Sequence, residues 1–174
     1  AYPVEGGAPA PIGPAVAGWI TVADRDWTRQ LVVESFNEVV ALEGAARRTI
    51  AKTSKPIRKY KMSPRGDTVL IHDGEAIWLV PFAGGPLRKL TALDAELQQA
   101  VWSPDERTIA IGAKGGEVHD IKLVDVATGA VRELRGHTDA NYTLQWSRDG
   151  RRLLSASDDA TARVWTVADG SSII

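Results

Sequence analysis

The 174-residue sequence contains no cysteine, which excludes disulfide bonds, iron–sulfur clusters, thiol nucleophiles and zinc sites with thiolate ligands. It also lacks any apolar run near the roughly 18 residues that a membrane span requires. The 21 basic and 22 acidic residues almost cancel, so the chain lacks the overall positive charge that is typical of nucleic-acid-binding domains. We therefore expect a soluble protein that does not enter a membrane, and we take the cytoplasm as its compartment.

Helical periodicity is also missing. No window keeps apolar residues at i, i+3, i+4 and i+7 for three turns, whereas runs of four to eight strand-forming residues recur between Gly, Asp, Ser and Pro clusters. Residues 1–14 hold four of the nine prolines, a composition typical of an arm or linker. The sequence predicts an all-β protein with a Pro/Gly-rich N-terminal arm.

Three similar turns divide the remaining chain. Their serines are Ser63, Ser103 and Ser147, spaced 40 and 44 residues apart, and a bulky side chain precedes each one. Four short strand-forming segments fall within each unit. Four antiparallel strands that repeat at this interval are typical of a β-propeller blade, which has two apolar faces and is stable only between neighbours.

The repeat divides residues 15–174 into about four blades of a partial propeller. The expected limits are about residues 15–46, 55–92, 97–135 and 136–174. In the first blade we predict only three strands, and we align them with the second to fourth strands of a blade whose first strand is missing. Four blades with one strand absent would leave apolar faces and a sheet edge uncovered. We therefore predict that a second copy, or another propeller segment, completes a larger ring.

The last unit resembles a WD repeat. It contains a Gly-His pair ending at His137, a Ser-Asp-Asp run from Ser157 to Asp159, and Trp165. The resemblance implies a hydrogen-bonded structural tetrad made of His137, Ser157, Asp159 and Trp165. The two preceding units have valine in the column of Trp165 and resemble TolB-type propeller repeats instead.

Sequence motifs for catalysis and metal binding are absent. The chain has no Gly-x-Ser-x-Gly elbow, His-Glu-x-x-His pair, phosphate-binding loop or dinucleotide fingerprint. His72 and His119 lie in different units and match no ligand spacing. We expect a protein that is not an enzyme and that binds neither a metal nor a cofactor.

One segment departs from the even charge distribution. Eight basic residues and no acidic residue lie between positions 47 and 65. Two interpretations remain open. The segment is a docking surface, whose ligand would be an acidic peptide, an acidic propeller face or a phosphate backbone. Alternatively, it is a solvated loop whose long side chains cover apolar surface. The candidate binding residues are Arg47, Arg48, Arg58, Lys59, Lys61 and Arg65.

The resemblance to WD repeats implies a non-catalytic scaffold or sensor that binds a protein partner. The last repeat also resembles propeller modules of larger bacterial signalling proteins. The alternative, implied by the TolB-like repeats, is the gating propeller of a serine peptidase whose catalytic domain is absent from this sequence. The expected partners are a second copy or another propeller segment, and an acidic peptide; nucleic acid is the weaker alternative.

Overall fold

The computed structural model of the protein describes residues 19–22, 29–93, 95–114 and 120–174. These residues form sixteen strands in four antiparallel sheets, each of four strands in chain order. Sheet 1 contains β1 (Trp19–Val22), β2 (Arg29–Glu34), β3 (Glu38–Glu43) and β4 (Ala46–Lys52). Sheet 2 contains β5 (Lys59–Met62), β6 (Thr68–His72), β7 (Ala76–Pro81) and β8 (Arg88–Ala92). Sheet 3 contains β9 (Glu96–Trp102), β10 (Thr108–Lys114), β11 (Ile121–Asp125) and β12 (Val131–Leu134). Sheet 4 contains β13 (Asn141–Trp146), β14 (Arg152–Ser157), β15 (Ala162–Thr166) and β16 (Ser172–Ile173).

The repeated serines close the turn between the first and second strands of a sheet. In sheet 3, Ser103 Oγ donates to Asp105 Oδ1 at 2.6 Å and accepts the Thr108 N–H at 3.0 Å. Ser147 makes the corresponding bond to Asp149 in sheet 4, at 2.7 Å. Ser63 of sheet 2 is not followed by an aspartate at the same spacing, but its hydroxyl accepts the Thr68 N–H at 3.3 Å. Because all of these bonds span only a few residues, the repeat is visible in the sequence.

Successive sheets pack face to face, with an apolar core at each of three seams. Leu31 and Val69 meet between sheets 1 and 2, and Leu70 and Ile109 lie in the core between sheets 2 and 3. The core between sheets 3 and 4 contains Trp165. Sheets 2 and 3 thus bury both faces, as the blades of a propeller do. The predicted all-β propeller architecture is confirmed.

An arginine on the last strand of sheets 1, 2 and 3 donates a hydrogen bond to a backbone carbonyl of the next sheet. The pairs are Arg48 with Phe82 O at 2.9 Å, Arg88 with Val126 O, and Arg132 with Val167 O. The arginines share one register, opposite Ala41, Leu79 and Leu123 of the third strands. The equivalent residue of sheet 4 is Ile173, opposite Val164. We call these three bonds the seam arginine bonds.

The structure corrects the prediction for the first blade. Sheet 1 is complete, and the three predicted strands are its first to third, not its second to fourth. The strand that the prediction lacked is the fourth, β4, which pairs with β3 from Glu43–Ala46 to Glu38–Lys52. Sheet 1 therefore reaches Lys52 instead of ending near residue 46. The first four residues of β4 are exposed and two of them are arginines, so its sequence looks like a polar loop. The predicted arm at residues 1–14 lies outside the described residues.

The described part of the chain contains no helix with the length and apolar character of a membrane span.

Candidate functional site

A chain of short hydrogen bonds crosses sheet 4. Trp165 Nε1 donates to Ser155 Oγ at 2.8 Å, and Ser155 Oγ lies 2.7 Å from His137 Nε2. His137 Nδ1 lies 2.8 Å from Asp159 Oδ2. One proton arrangement satisfies every group: the Trp165 N–H and the Ser155 O–H each donate along the chain, and the His137 Nδ1–H donates to the carboxylate.

The serine in this tetrad is Ser155, so the assignment of Ser157 is wrong. Ser157 Oγ instead donates to Asp139 O at 2.8 Å and accepts the Asp159 N–H at 3.2 Å, which braces the loop before β13. Ser155 is fully buried in the middle of β14, two residues from Leu153, which pairs directly with Trp165. Ser155 is thus identified by its position on β14 next to the strand that carries Trp165. Its distance in sequence from Asp159 does not identify it.

The carboxylate of Asp159 closes the tetrad. Burial acts to raise the pKa of Asp159, but hydrogen bonds from Thr161, the Thr138 N–H and His137 outweigh it and hold the pKa well below its ordinary value. The Thr161 hydroxyl is 2.6 Å from Asp159 Oδ1. The aspartate therefore stays ionised and fixes the orientation of the imidazole.

A row of Ser, His and Asp is also the arrangement of a hydrolytic triad. Here the serine hydroxyl is inaccessible, because Ser155 has no exposed surface and its oxygen already accepts the Trp165 N–H. His137 is 6% exposed. The geometry ties the loop before β13 to β14 and β15 of sheet 4, and it offers no room for a substrate at the hydroxyl.

The basic segment does not form one surface. Arg47 and Arg48 lie on β4, the last strand of sheet 1, whereas Lys59 and Lys61 lie on β5, the first strand of sheet 2. Arg58 precedes β5, and Arg65 follows it in the turn. The folding of β4 into a strand therefore divides the candidate binding residues between opposite edges of two sheets.

Most of these side chains have partners within the protein. The ion pairs join Arg47 with Glu34, Lys52 with Glu38, Lys55 with Glu75 and Arg65 with Glu106. Lys59 Nζ donates to Gln98 O at 2.6 Å and Lys61 Nζ to Ala100 O at 3.4 Å, both across the seam to sheet 3. Burial of the Lys61 ammonium lowers its pKa. Only Arg58, among the candidate residues, lacks a side-chain partner in the described ranges.

A broad concave surface follows the ends of the first strands in sheets 2, 3 and 4. The bulky residues before the three repeated serines, Met62, Trp102 and Trp146, all line it. Trp146 Nε1 donates to Val101 O at 3.2 Å, which links sheet 4 to sheet 3 beneath this surface. Equivalent positions of the repeat therefore converge at one side of the stack.

The histidines do not form a metal site in the residues that can be described. His72 is buried on β6, and His119 lies outside the described residues. No group of three His, Asp or Glu side chains in the described ranges is arranged to hold an ion.

The last unit of the repeat matches a known protein family. A family model described as "WD domain, G-beta repeat" matches residues 129–166. Residues 129–166 thus resemble a WD repeat. This match covers β12 to β15 and all four members of the tetrad, and it confirms the resemblance predicted for this unit.

Several known proteins are similar to longer parts of the chain. WD repeat and SOCS box-containing protein 1 of Danio rerio is 28% identical over 85% of this chain and 34% of its own length. Actin-interacting protein 1 of Drosophila melanogaster is 32% identical over 77% of this chain and 23% of its own length. Jouberin of Rattus norvegicus is 38% identical over 37% of this chain and 6% of its own length. The chain thus spans about a third or less of these relatives.

A solved structure of a TolB protein from Agrobacterium tumefaciens has the same fold. It superposes with a TM-score of 0.68 over 90% of this chain and 61% of its own chain, at 22% sequence identity. Together with the four stacked sheets, this match shows that the chain has a propeller fold.

Proposed function

We propose that this chain is a non-catalytic interaction module and that its stack of sheets is completed by further propeller sheets, supplied by a second copy or by another propeller segment. The relatives with WD repeats support an interaction role, and the buried Ser155 supports the absence of catalysis at the tetrad. The observation that carries the proposal is the outward face of sheet 4.

One row of side chains crosses the outward face of sheet 4 in register: Gln145, Leu154, Val164 and Ile173. The row lies on the opposite face from the core residues Leu153 and Trp165, because neighbours along a strand alternate between faces. Leu154 is 39% exposed and Ile173 is 70% exposed. Three apolar side chains therefore line up across a sheet face that no described element covers.

The equivalent row of sheet 3 packs against the next sheet. It consists of Val101, Ala110, Leu123 and Arg132. The first three of these residues lie in the core against sheet 4, and the arginine makes a seam arginine bond to it. By the repeat, the outward row of sheet 4 is the position at which a fifth sheet would pack.

The proposal is tested by measuring the molar mass of the chain in solution by light scattering. We expect either a dimer or a complex with a co-purifying propeller segment. Leu154→Asp should disrupt this assembly, whereas Val131→Asp, an equally exposed valine on β12 away from the outward face, should leave it intact. A stable monomer that stays dispersed at high concentration, or equal effects of the two variants, would contradict the proposal.

We place the module in a larger cytoplasmic protein of a bacterial signalling type, in preference to the gating propeller of a serine peptidase. The match of residues 129–166 to the WD-repeat model supports an interaction role, and the propeller fold is compatible with both contexts. The complete reading frame separates them, because the peptidase alternative requires a downstream Gly-x-Ser-x-Gly motif.

A further inference from the structure

A cleft opens at the seam between sheets 2 and 3, beside the end of β6 and the start of β9. It has a volume of about 680 Å³, and its polar lining comes from Arg58, Lys59, His72 and Glu96. His72 is 4% exposed, and neither of its ring nitrogens has a hydrogen-bond partner in the described structure. A buried imidazole without partners is costly, and a ligand that enters the cleft, which His72 lines, would relieve this cost.

The residues at equivalent positions differ between the seam of sheets 2 and 3, which contains the cleft, and the seam of sheets 3 and 4, which does not. In sheet 3 the residue equivalent to His72 is Gly112, where an added Cβ would lie only 2.9 Å from Asn141 O of sheet 4. Gln99, equivalent to Lys59, accepts the Leu144 N–H at 2.6 Å. The backbone of β10 therefore approaches β13 closely at Gly112, and the Gln99 side chain links β9 to β13. In sheet 2 the same two positions hold a histidine on β6 and a lysine on β5, which keep sheet 2 farther from β9.

The charges around the cleft favour a single carboxylate. Lys59 is anchored to Gln98 O, while the Arg58 guanidinium is exposed and is not paired with any described side chain. Burial lowers the pKa of His72, the Asp73 carboxylate opposes this effect, and Lys59 and Arg58 reinforce it. The ring is therefore neutral near neutral pH, and among the charged side chains that line the cleft the two cations outnumber the single carboxylate of Glu96. The Asp73 carboxylate is not part of the lining, and it already accepts hydrogen bonds from the Glu75 and Ala76 N–H groups and from Trp78 Nε1.

The remaining lining is apolar. Leu93, which follows β8 of sheet 2, and Leu97, which lies on β9 of sheet 3, are next to the polar groups. A glutamate side chain has a carboxylate at the end of two methylene groups, so it matches both parts of the lining. A phosphate group would bring a second negative charge close to Glu96 and would not use the apolar residues.

We propose that this cleft binds the side-chain carboxylate of an acidic peptide segment from a protein partner, with Arg58 and His72 as its hydrogen-bond donors. This inference rests on the proposed role of the chain as an interaction module. It concerns a different surface from the outward face of sheet 4, so each can fail without the other.

The test follows the imidazole resonances of the full chain by NMR while a blocked pentapeptide, Gly-Glu-Leu-Glu-Gly, is added. The His72 signal, assigned by its loss in His72→Gln, should move and saturate, whereas the signal of His137 in the tetrad should stay fixed. A twin peptide with glutamine in place of glutamate should have no effect. Arg58→Ala should weaken binding by about tenfold or more, because it removes a charge-assisted hydrogen bond.

Arg65→Ala is the matched control, since Arg65 is an exposed arginine that is paired with Glu106 outside the cleft. It should bind the peptide as the unchanged protein does. Equal shifts with the glutamine twin, an Arg65→Ala effect as large as that of Arg58→Ala, or no shift at millimolar peptide would overturn the proposal. So would a shift caused by inorganic phosphate or short single-stranded DNA at lower concentration than the peptide, which would indicate a phosphate site. The molar-mass measurement does not depend on any of these results.

Discussion

Replacing Ser155 by alanine should destabilise the protein by about 2–6 kcal/mol, because it leaves two buried polar groups without a partner. The Ser155 oxygen is 2.8 Å from Trp165 Nε1 and 2.7 Å from His137 Nε2. Trp165 is fully buried and His137 is nearly so. Each orphaned group costs about 1–3 kcal/mol in such a place, which gives the range stated.

The assay is urea unfolding followed by tryptophan fluorescence, with the free energy of unfolding extrapolated to water. Ser157→Ala is the matched control, since it removes a hydroxyl bond at the end of β14 and should cost about 1 kcal/mol or less. If Ser157→Ala costs as much as Ser155→Ala, or if Ser155→Ala is neutral, the tetrad does not stabilise sheet 4 in the way described.

Three further predictions address the seams and the tetrad. Gly112→Ala should cost about 1–3 kcal/mol, since its Cβ would meet the Asn141 carbonyl at 2.9 Å; an unchanged urea midpoint would show that β13 moves away freely. Arg48→Ala should cost about 1 kcal/mol by loss of a seam arginine bond, and more than Arg47→Ala, which removes an exposed ion pair with Glu34; the reverse order in urea unfolding would refute this. Asp159→Asn should be less stable than the unchanged protein near neutral pH, and the difference should shrink below about pH 3.8. The pKa of Asp159 is lower in the folded than in the unfolded protein. Its contribution to the free energy of unfolding is therefore present above the unfolded-state pKa and is lost as the pH falls through the folded-state pKa. A stability difference between the two proteins that does not change with pH would contradict this prediction.

The fold could be predicted from the sequence because its signals are local. Ser103 and Asp105 close their turn through bonds spanning a few residues, and the strands between the turns are short apolar runs. The fourth strand of sheet 1 escaped prediction for the opposite reason. As an outer strand it buries only Ile50 and Ala51, so little of its sequence carries the apolar signal of a strand.

The site was less predictable because its partners come from distant segments. The carboxylates that neutralise the basic segment, such as Glu75 and Glu106, follow it in the chain and reach it only after the sheets have stacked. The choice between Ser155 and Ser157 likewise depends on which serine lies beside Trp165 across β14 and β15. Neither relation is visible along a single strand.

The contrast between two seams has a mechanical consequence. Sheets 3 and 4 touch through backbone at Gly112 and through the bonds of Gln99 and Trp146, whereas the first strands of sheets 2 and 3 are bridged by two flexible lysine side chains. Under load or mild denaturant, we expect the stack to hinge at the lysine-bridged seam and to separate into two pairs of sheets. Amide hydrogen exchange would then report earlier opening at β5 than at β13, and a ligand lodged between sheets 2 and 3 would act as a wedge that sets the curvature of the whole stack.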